Sequence, residues 1–214
     1  AWLAKYVNPA YLQPSTIAAV AAQLTEQRAT QLSSFFTATL AAPLLKAAAA
    51  ADRAELPTCG GAPDYAIGIG RRWAPVGPPQ VQRYLRYPTA QAPTETDMDG
   101  GTAPSHSDRA GKRLLRIAQL FRSKAFQLLL REMSGLSLDS MRVETRRFRP
   151  GLDYTLAHIG QLRQGSGASD SLDVTACFVP PGRKVPAAEA AALWDSGEVG
   201  GFECLVKREE EAAA

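Results

Sequence analysis

Leu114, Ala118, Phe121, Ala125 and Leu128 recur at steps of 4, 3, 4 and 3, the spacing that lines one face of a helix. Leu115, Ile117 and Leu129 widen this stripe, so a long, deeply packed helix is predicted to run to Gly135, a residue suited to a helix stop. The opposite side carries Lys112, Arg113, Arg116, Arg122, Lys124 and Arg131, and the window Arg109 to Arg131 holds no acidic residue. A chain with this segment must supply an apolar surface for one side of the helix and leave a basic face on the other.

Beyond Gly135 the period changes to two. Leu152, Tyr154, Leu156 and His158 alternate with polar or small residues, as do Leu172, Val174, Ala176 and Phe178; Phe202, Cys204 and Val206 follow a Gly-Gly pair. These read as at least three strands of antiparallel type, with turns at Pro150-Gly151 and in the Gly165 to Ser171 loop. Upstream, Asn8-Pro9-Ala10-Tyr11 reads as a loop and Pro14 to Arg28 as a helix, with Ile17, Val20, Ala21 and Leu24 on one side. Gln31 to Phe36 predicts a brief strand and the alanine-rich stretch Pro43 to Arg53 a helix packed by Leu44 and Leu45. Tyr65 to Ile69 and Gln80 to Leu85 predict edge strands, and residues 89–111, without periodicity, a mobile insertion. Helices first and strands later make an α+β fold, with helices covering a sheet from outside.

A chain of 214 residues can bury a core without staples, and its net charge of +3 is too mild to mark a nucleic-acid protein by composition. Cys59, Cys177 and Cys204 have no CxxC spacing, so neither a disulfide framework nor a zinc ribbon is supported, and a reducing compartment is expected. No apolar run reaches the length of a membrane span, so no membrane partner is expected. The start at Ala1 and the tract Glu209-Glu210-Glu211 read as the limits of a piece of a longer protein.

His106-Ser107-Asp108 has the H-x-D form of a two-histidine-one-carboxylate iron site, and His158 is the remaining histidine. Such a triad needs its H-x-D at a strand end and sheet strands between it and the distal histidine. Here the long helix fills that interval, so the residues read as a polar loop and an unrelated strand histidine. None of the three cysteines has a histidine partner in the pattern, and the glycines at 68, 70 and 77 do not form a phosphate loop. Two basic clusters remain. Arg113, Arg116, Lys124 and Arg131 are the candidate partner-binding residues, suited to RNA or an acidic protein; Arg146, Arg147 and Arg149 form a second cluster, whose plain reading is a solvated one.

Six strings then occur in order: Asn8 to Leu12; Trp73 through Gly77-Pro78-Pro79 to Arg83-Tyr84; Leu120 to Phe126; Phe148-Arg149-Pro150-Gly151 with Tyr154-Thr155-Leu156; Leu172 to Thr175; and Trp194 with Gly200-Gly201-Phe202. Together, from Tyr6 to Val206, the chain resembles the C-terminal domain of the eukaryotic prolyl 3-hydroxylase family of iron- and 2-oxoglutarate-dependent oxygenases that acts on a small-subunit ribosomal protein. The resemblance implies two double-stranded β-helix (jelly-roll, cupin-like) domains in tandem, the second a degenerate copy without metal, and this chain as that second copy. His158-Ile159-Gly160 stands where a catalytic copy carries H-x-D, so His158 marks the degenerate ligand position. The implied layout is a linker and helix over 1–30, the degenerate β-helix over 31–208, truncated at its C-terminus, and an acidic low-complexity tail from 209.

No cofactor is expected in the segment itself. Fe(II), 2-oxoglutarate and ascorbate are expected in the N-terminal domain of the parent enzyme. The resemblance further implies the preceding catalytic domain, the ribosomal protein substrate or a regulator, and ribosome- or mRNA-associated factors as partners. It implies a cytoplasmic or nuclear location, and a link to translation termination and oxygen sensing. The contrasting expectation is a free-standing interaction module that holds RNA or an acidic protein on its basic helix face.

Overall fold

The computed structural model describes residues 2–56, 63–70, 72–88, 106–156 and 172–180. Within them lie helices α1 (Pro14–Gln27), α2 (Ala38–Glu55), α3 (His106–Arg122) and α4 (Lys124–Ser134), and strands β1 (Ala74–Val76), β2 (Gln82–Tyr87), β3 (Thr145–Arg147) and β4 (Tyr154–Thr155). The strands form one small antiparallel sheet in the order β1-β2-β3, with β4 also on β2. This is an α+β arrangement, as expected. Among the described residues, the strands do not by themselves amount to a double-stranded β-helix.

The long helix is two helices. Ser123 has extended backbone (ψ 143°), its Oγ donates to the Leu120 carbonyl at 2.6 Å, and it accepts from the Phe126 N–H at 3.2 Å, which makes it the N-cap of α4. The break shifts the phase of the apolar stripe. Buried positions run Ile117, Ala118 and Leu120 in α3, then Phe126, Leu129 and Met133 in α4, while Leu128, predicted to face inward, is 47% exposed. Gly135 ends α4 in the left-handed conformation (φ 70°), as predicted from sequence. At the other end, α3 begins at His106, so residues 106–111 are its first turns and not the end of an insertion; Ser107, Ala110 and Gly111 are buried.

Each helix has its own partner. α4 packs on α1 through Val20, Leu129 and Met133, with Ile17 and Leu24 alongside. α3 lies against α2 and, through Leu114 and Leu115, against Trp73, Leu85 and Tyr87 on one face of the sheet. Between these two groups the break region joins a third cluster of Val7, Leu120 and Phe126, flanked by Phe35, Phe36 and Phe121. The predicted strand at Gln31–Phe36 reduces to a single bridge of Phe36 to Val7. Asn8 fastens the same region, accepting from the Ala10 N–H at 3.1 Å and donating to the Ser34 carbonyl at 3.2 Å.

β2 is a central strand and not an edge. Tyr84, Leu85 and Tyr87 are all buried, Leu85 and Tyr87 on the face that meets α3 and Tyr84 on the other, beneath Phe148 and Arg146. Tyr65–Ile69, predicted as a strand, is a turn: Asp64 Oδ1 accepts from the Ala66 N–H at 2.9 Å, and Gly68 has φ 73°. Residues 172–180 carry no strand pairing, though the Phe178 ring stacks on Phe36 at 5.5 Å. Of the predicted strand Leu152 to His158, Tyr154–Thr155 is paired; residues 157–171, with His158, and the Phe202 to Val206 segment lie outside the described residues.

α3 passes close against the sheet at Gly111, where a Cβ would lie 2.2 Å from the buried Tyr87 ring. Helix propensity alone favours alanine there by about 1 kcal/mol. Overpacking against a ring that cannot move aside outweighs it. Gly111→Ala is expected to destabilise the fold by about 1–3 kcal/mol, read as a lower midpoint in urea.

Candidate functional site

Three charged regions stand out among the described residues. The first is the helix face read from sequence. Arg113 and Arg116 on α3 and Lys124 and Arg131 on α4 are all exposed, but the break at Ser123 divides them between two helices. Arg116 also borders a cleft of about 450 Å³ shared with Trp2, Lys5, Tyr6, Leu40 and Ser123. Trp2 is 43% exposed and packs on Tyr6 with ring centroids 4.9 Å apart. Cation and half-exposed indole thus stand together at the first residues of the chain.

The second region lies behind β3, where the sequence showed only a basic cluster. Alternation along the strand turns Arg147 and Arg149 inward and Arg146 and Phe148 outward. Arg147 donates to Glu55 Oε2 at 2.6 Å and to Asp52 Oδ1 at 3.0 Å on α2. The other oxygen of Glu55 accepts the Ser107 N–H at 3.1 Å, so one carboxylate ties the end of α2 to β3 and caps the start of α3. Arg149 is deeper, with 1% of its side chain exposed against 0% for its partner Asp153. Its Nε and NH2 groups donate to the two Asp153 oxygens at 2.8 Å each, and NH1 donates to the carbonyls of Tyr65, at 2.9 Å, and Ile67. The expectation that this cluster is solvated therefore holds for Arg146 alone. Glu55, Asp52 and Asp153 had no visible motif; only the i, i+4 spacing of Arg149 and Asp153 hinted at a pair.

The third region is the open face of the sheet. Glu144 accepts from Arg142 at 2.6 Å and from Arg146 Nε at 2.9 Å, and its Oε2 takes the Tyr84 hydroxyl at 3.3 Å; Arg86 stands 3.9 Å away. Arg86 and Arg146 are register partners on β2 and β3, a like-charge pairing that is unfavourable unless neutralised. Burial pushes the Glu144 carboxyl up, but the hydrogen bonds from Arg142 and Arg146 outweigh it and hold the group below its ordinary range. A carboxyl lowered by folding contributes stability above its unfolded value and loses it as the pH falls through the folded one. Glu144→Gln is expected to lower the melting temperature at neutral pH, with the gap to the parent protein closing below about pH 4.

The residues present do not fit an iron site of the H-x-D type. His106 and Asp108 fall in the first turn of α3, where positions two apart point to nearly opposite sides. His106 is exposed and Asp108 is buried. Among the described residues no three histidine, cysteine, aspartate or glutamate side chains converge in a way that would hold a metal ion. No helix among them is long and apolar enough to cross a membrane.

Comparison with known proteins matches residues 1–214 to the family model described as "Oxoglutarate and iron-dependent oxygenase degradation C-term". The chain is 34% identical over 205 residues to the prolyl 3,4-dihydroxylase OGFOD1 of Ostreococcus tauri, an alignment that covers 95% of this chain and 35% of that protein. The chain thus spans about a third of the length of this relative. Its sequence, matched from end to end, belongs to the C-terminal domain family of the oxoglutarate- and iron-dependent oxygenases.

Proposed function

We propose that this chain is the non-catalytic C-terminal domain of a prolyl hydroxylase dependent on 2-oxoglutarate and iron, and that it braces the catalytic domain and presents a surface to substrate or regulator. The observation that carries the reading is a full-length family match in a chain whose H-x-D string is split between an exposed His106 and a buried Asp108. The relative's greater length leaves room for a separate catalytic domain, which would hold iron and 2-oxoglutarate and use ascorbate. The small antiparallel sheet is, in this reading, part of a degenerate double-stranded β-helix. The cleft of Trp2, Tyr6 and Arg116 suits a bracing contact, because it joins aromatic area to a cation.

The parent enzyme is proposed to hydroxylate a proline of a small-subunit ribosomal protein, in the cytoplasm or nucleus, in step with translation termination and oxygen supply. The family description contains the word "degradation", and a part in protein turnover belongs to the same proposal. The test is an anaerobic titration of the chain with ferrous iron and 2-oxoglutarate, read by calorimetry and by the visible charge-transfer band. The expected result is no binding, together with reduced turnover when the parent enzyme carries Arg116→Glu. Tight binding that disappears in His158→Ala would overturn the proposal and make the chain itself an iron protein.

A further inference from the structure

We propose that the cleft between the turn at 64–69 and the start of β2 binds a small organic acid with one carboxylate and an apolar body, the carboxylate resting on Arg83. The cleft has a volume of about 460 Å³, in the range of small-molecule sites. Arg83 alternates with Tyr84 and Arg86 along β2, so it points to the opposite side of the sheet from them. Its guanidinium lies 4.0 Å from the centroid of the Tyr65 ring and 5.4 Å from that of Tyr154, and it donates to the Leu152 carbonyl at 3.4 Å. Among the described residues no carboxylate pairs with it, since Asp153 gives both its oxygens to Arg149. Arg149, which also lines the cleft, is thereby neutralised, and the charge left on the wall is that of Arg83.

The rest of the lining selects among anions. Tyr65 and Ile69 are 49% and 42% exposed, and Ala66, Pro75 and Pro79 complete an apolar wall. One cation beside this apolar area suits a single carboxylate better than a phosphate, whose second charge would lie against carbon without a donor. Nor is the cleft suited to a polypeptide. The carbonyls of Tyr65 and Ile67 are taken by Arg149, that of Ala66 by the Ile69 N–H at 3.1 Å, that of Gly77 by Gln82 at 3.2 Å and that of Pro79 by the Tyr154 hydroxyl. Pro75 and Pro79 have no N–H to offer. A peptide backbone entering here would give up water without finding partners, whereas an alkyl chain has no polar group to satisfy. The same hydrogen bonds fix the walls, so the cleft is formed before a ligand arrives.

The probe is sodium octanoate, titrated into the 214-residue chain and followed by calorimetry and by the Arg83 Nε–H resonance of isotope-labelled protein. Saturable binding is expected, with octanol and octylamine about tenfold weaker or worse, because neither can pair with a guanidinium. Arg83→Gln should lower the affinity for octanoate about tenfold and abolish the preference over octanol. Arg83→Lys keeps the charge and should recover part of both. Ile69→Ser, in an exposed turn, should weaken octanoate and octanol alike and leave their ratio unchanged. Far-ultraviolet circular dichroism confirms that each variant is folded, and Ile69→Ser with the octanol comparison tests the cleft even where Arg83→Gln does not fold. Competition by 2-oxoglutarate, with two carboxylates and little apolar surface, is not expected. Absence of saturable octanoate binding overturns the proposal. So does octanol binding as tightly as octanoate, displacement by 2-oxoglutarate at equal concentration, or a peptide with a free C-terminal leucine that binds more tightly than octanoate, which would make the cleft a protein-docking groove.

Discussion

Arg149→Met is expected to destabilise the protein by about 3–5 kcal/mol, because it leaves the Asp153 carboxylate buried without its counter-charge. Both side chains are sealed from water, and Arg149 spends its donors on Asp153 and on the carbonyls of Tyr65 and Ile67. Asp153 in turn accepts the Arg149 backbone N–H at 2.8 Å and so closes the Pro150-Gly151 turn. The substitution removes a buried charge pair and opens the 65–69 turn at once. Asp153→Asn should cost a similar amount. The double replacement by Met and Leu should be milder than either single one, since no unpaired charge remains. Urea denaturation of the three variants provides the comparison; a double variant as unstable as the sum of the singles would show that packing, and not charge, governs the site.

Trp73→Ala should cost about 3–5 kcal/mol as well, through a different cause. Trp73 is 1% exposed, meets Tyr87 edge to face at 5.0 Å, and donates its indole N–H to the Ser107 carbonyl at 3.0 Å. Its removal opens a cavity between the sheet and α3 and takes the indole hydrogen bond from the Ser107 carbonyl in the first turn of that helix. Trp73→Phe separates the two effects: the ring is largely kept, the hydrogen bond is not, and a loss of about 1–3 kcal/mol is expected. Tryptophan fluorescence is unsuited to following this variant, so far-ultraviolet circular dichroism in urea is the measurement.

Much of the helical part was legible because apolar spacing and stop residues act locally. Pro14 with its Ile17, Val20 and Leu24 stripe gave α1 nearly to the residue, and Gly135 marked the end of α4. Ser123 was missed because the apolar residues on each side keep a helical step across it, and only the serine's double hydrogen bond reveals the change of phase. The strands were harder. β1 and β3 have three residues each, too few for a periodic signal, and β3 is defined by where its arginines go. The inward turn of Arg147 and Arg149 depends on acids up to 95 residues away in sequence, a distance at which spacing carries no information. Resemblance to the oxygenase family covered this gap at the level of kinship, which the comparisons show, but it did not point to the arginines of the sheet face.

The two-handed grip of Glu55 has a bearing on how relatives of this chain can vary. Its carboxylate holds the beginning of α3 and the end of β3, so both are fastened to α2 through one side chain. In a relative, a change at the position of Glu55 would therefore have to be answered at two places at once, the start of α3 and the end of β3, which lie far apart in the sequence.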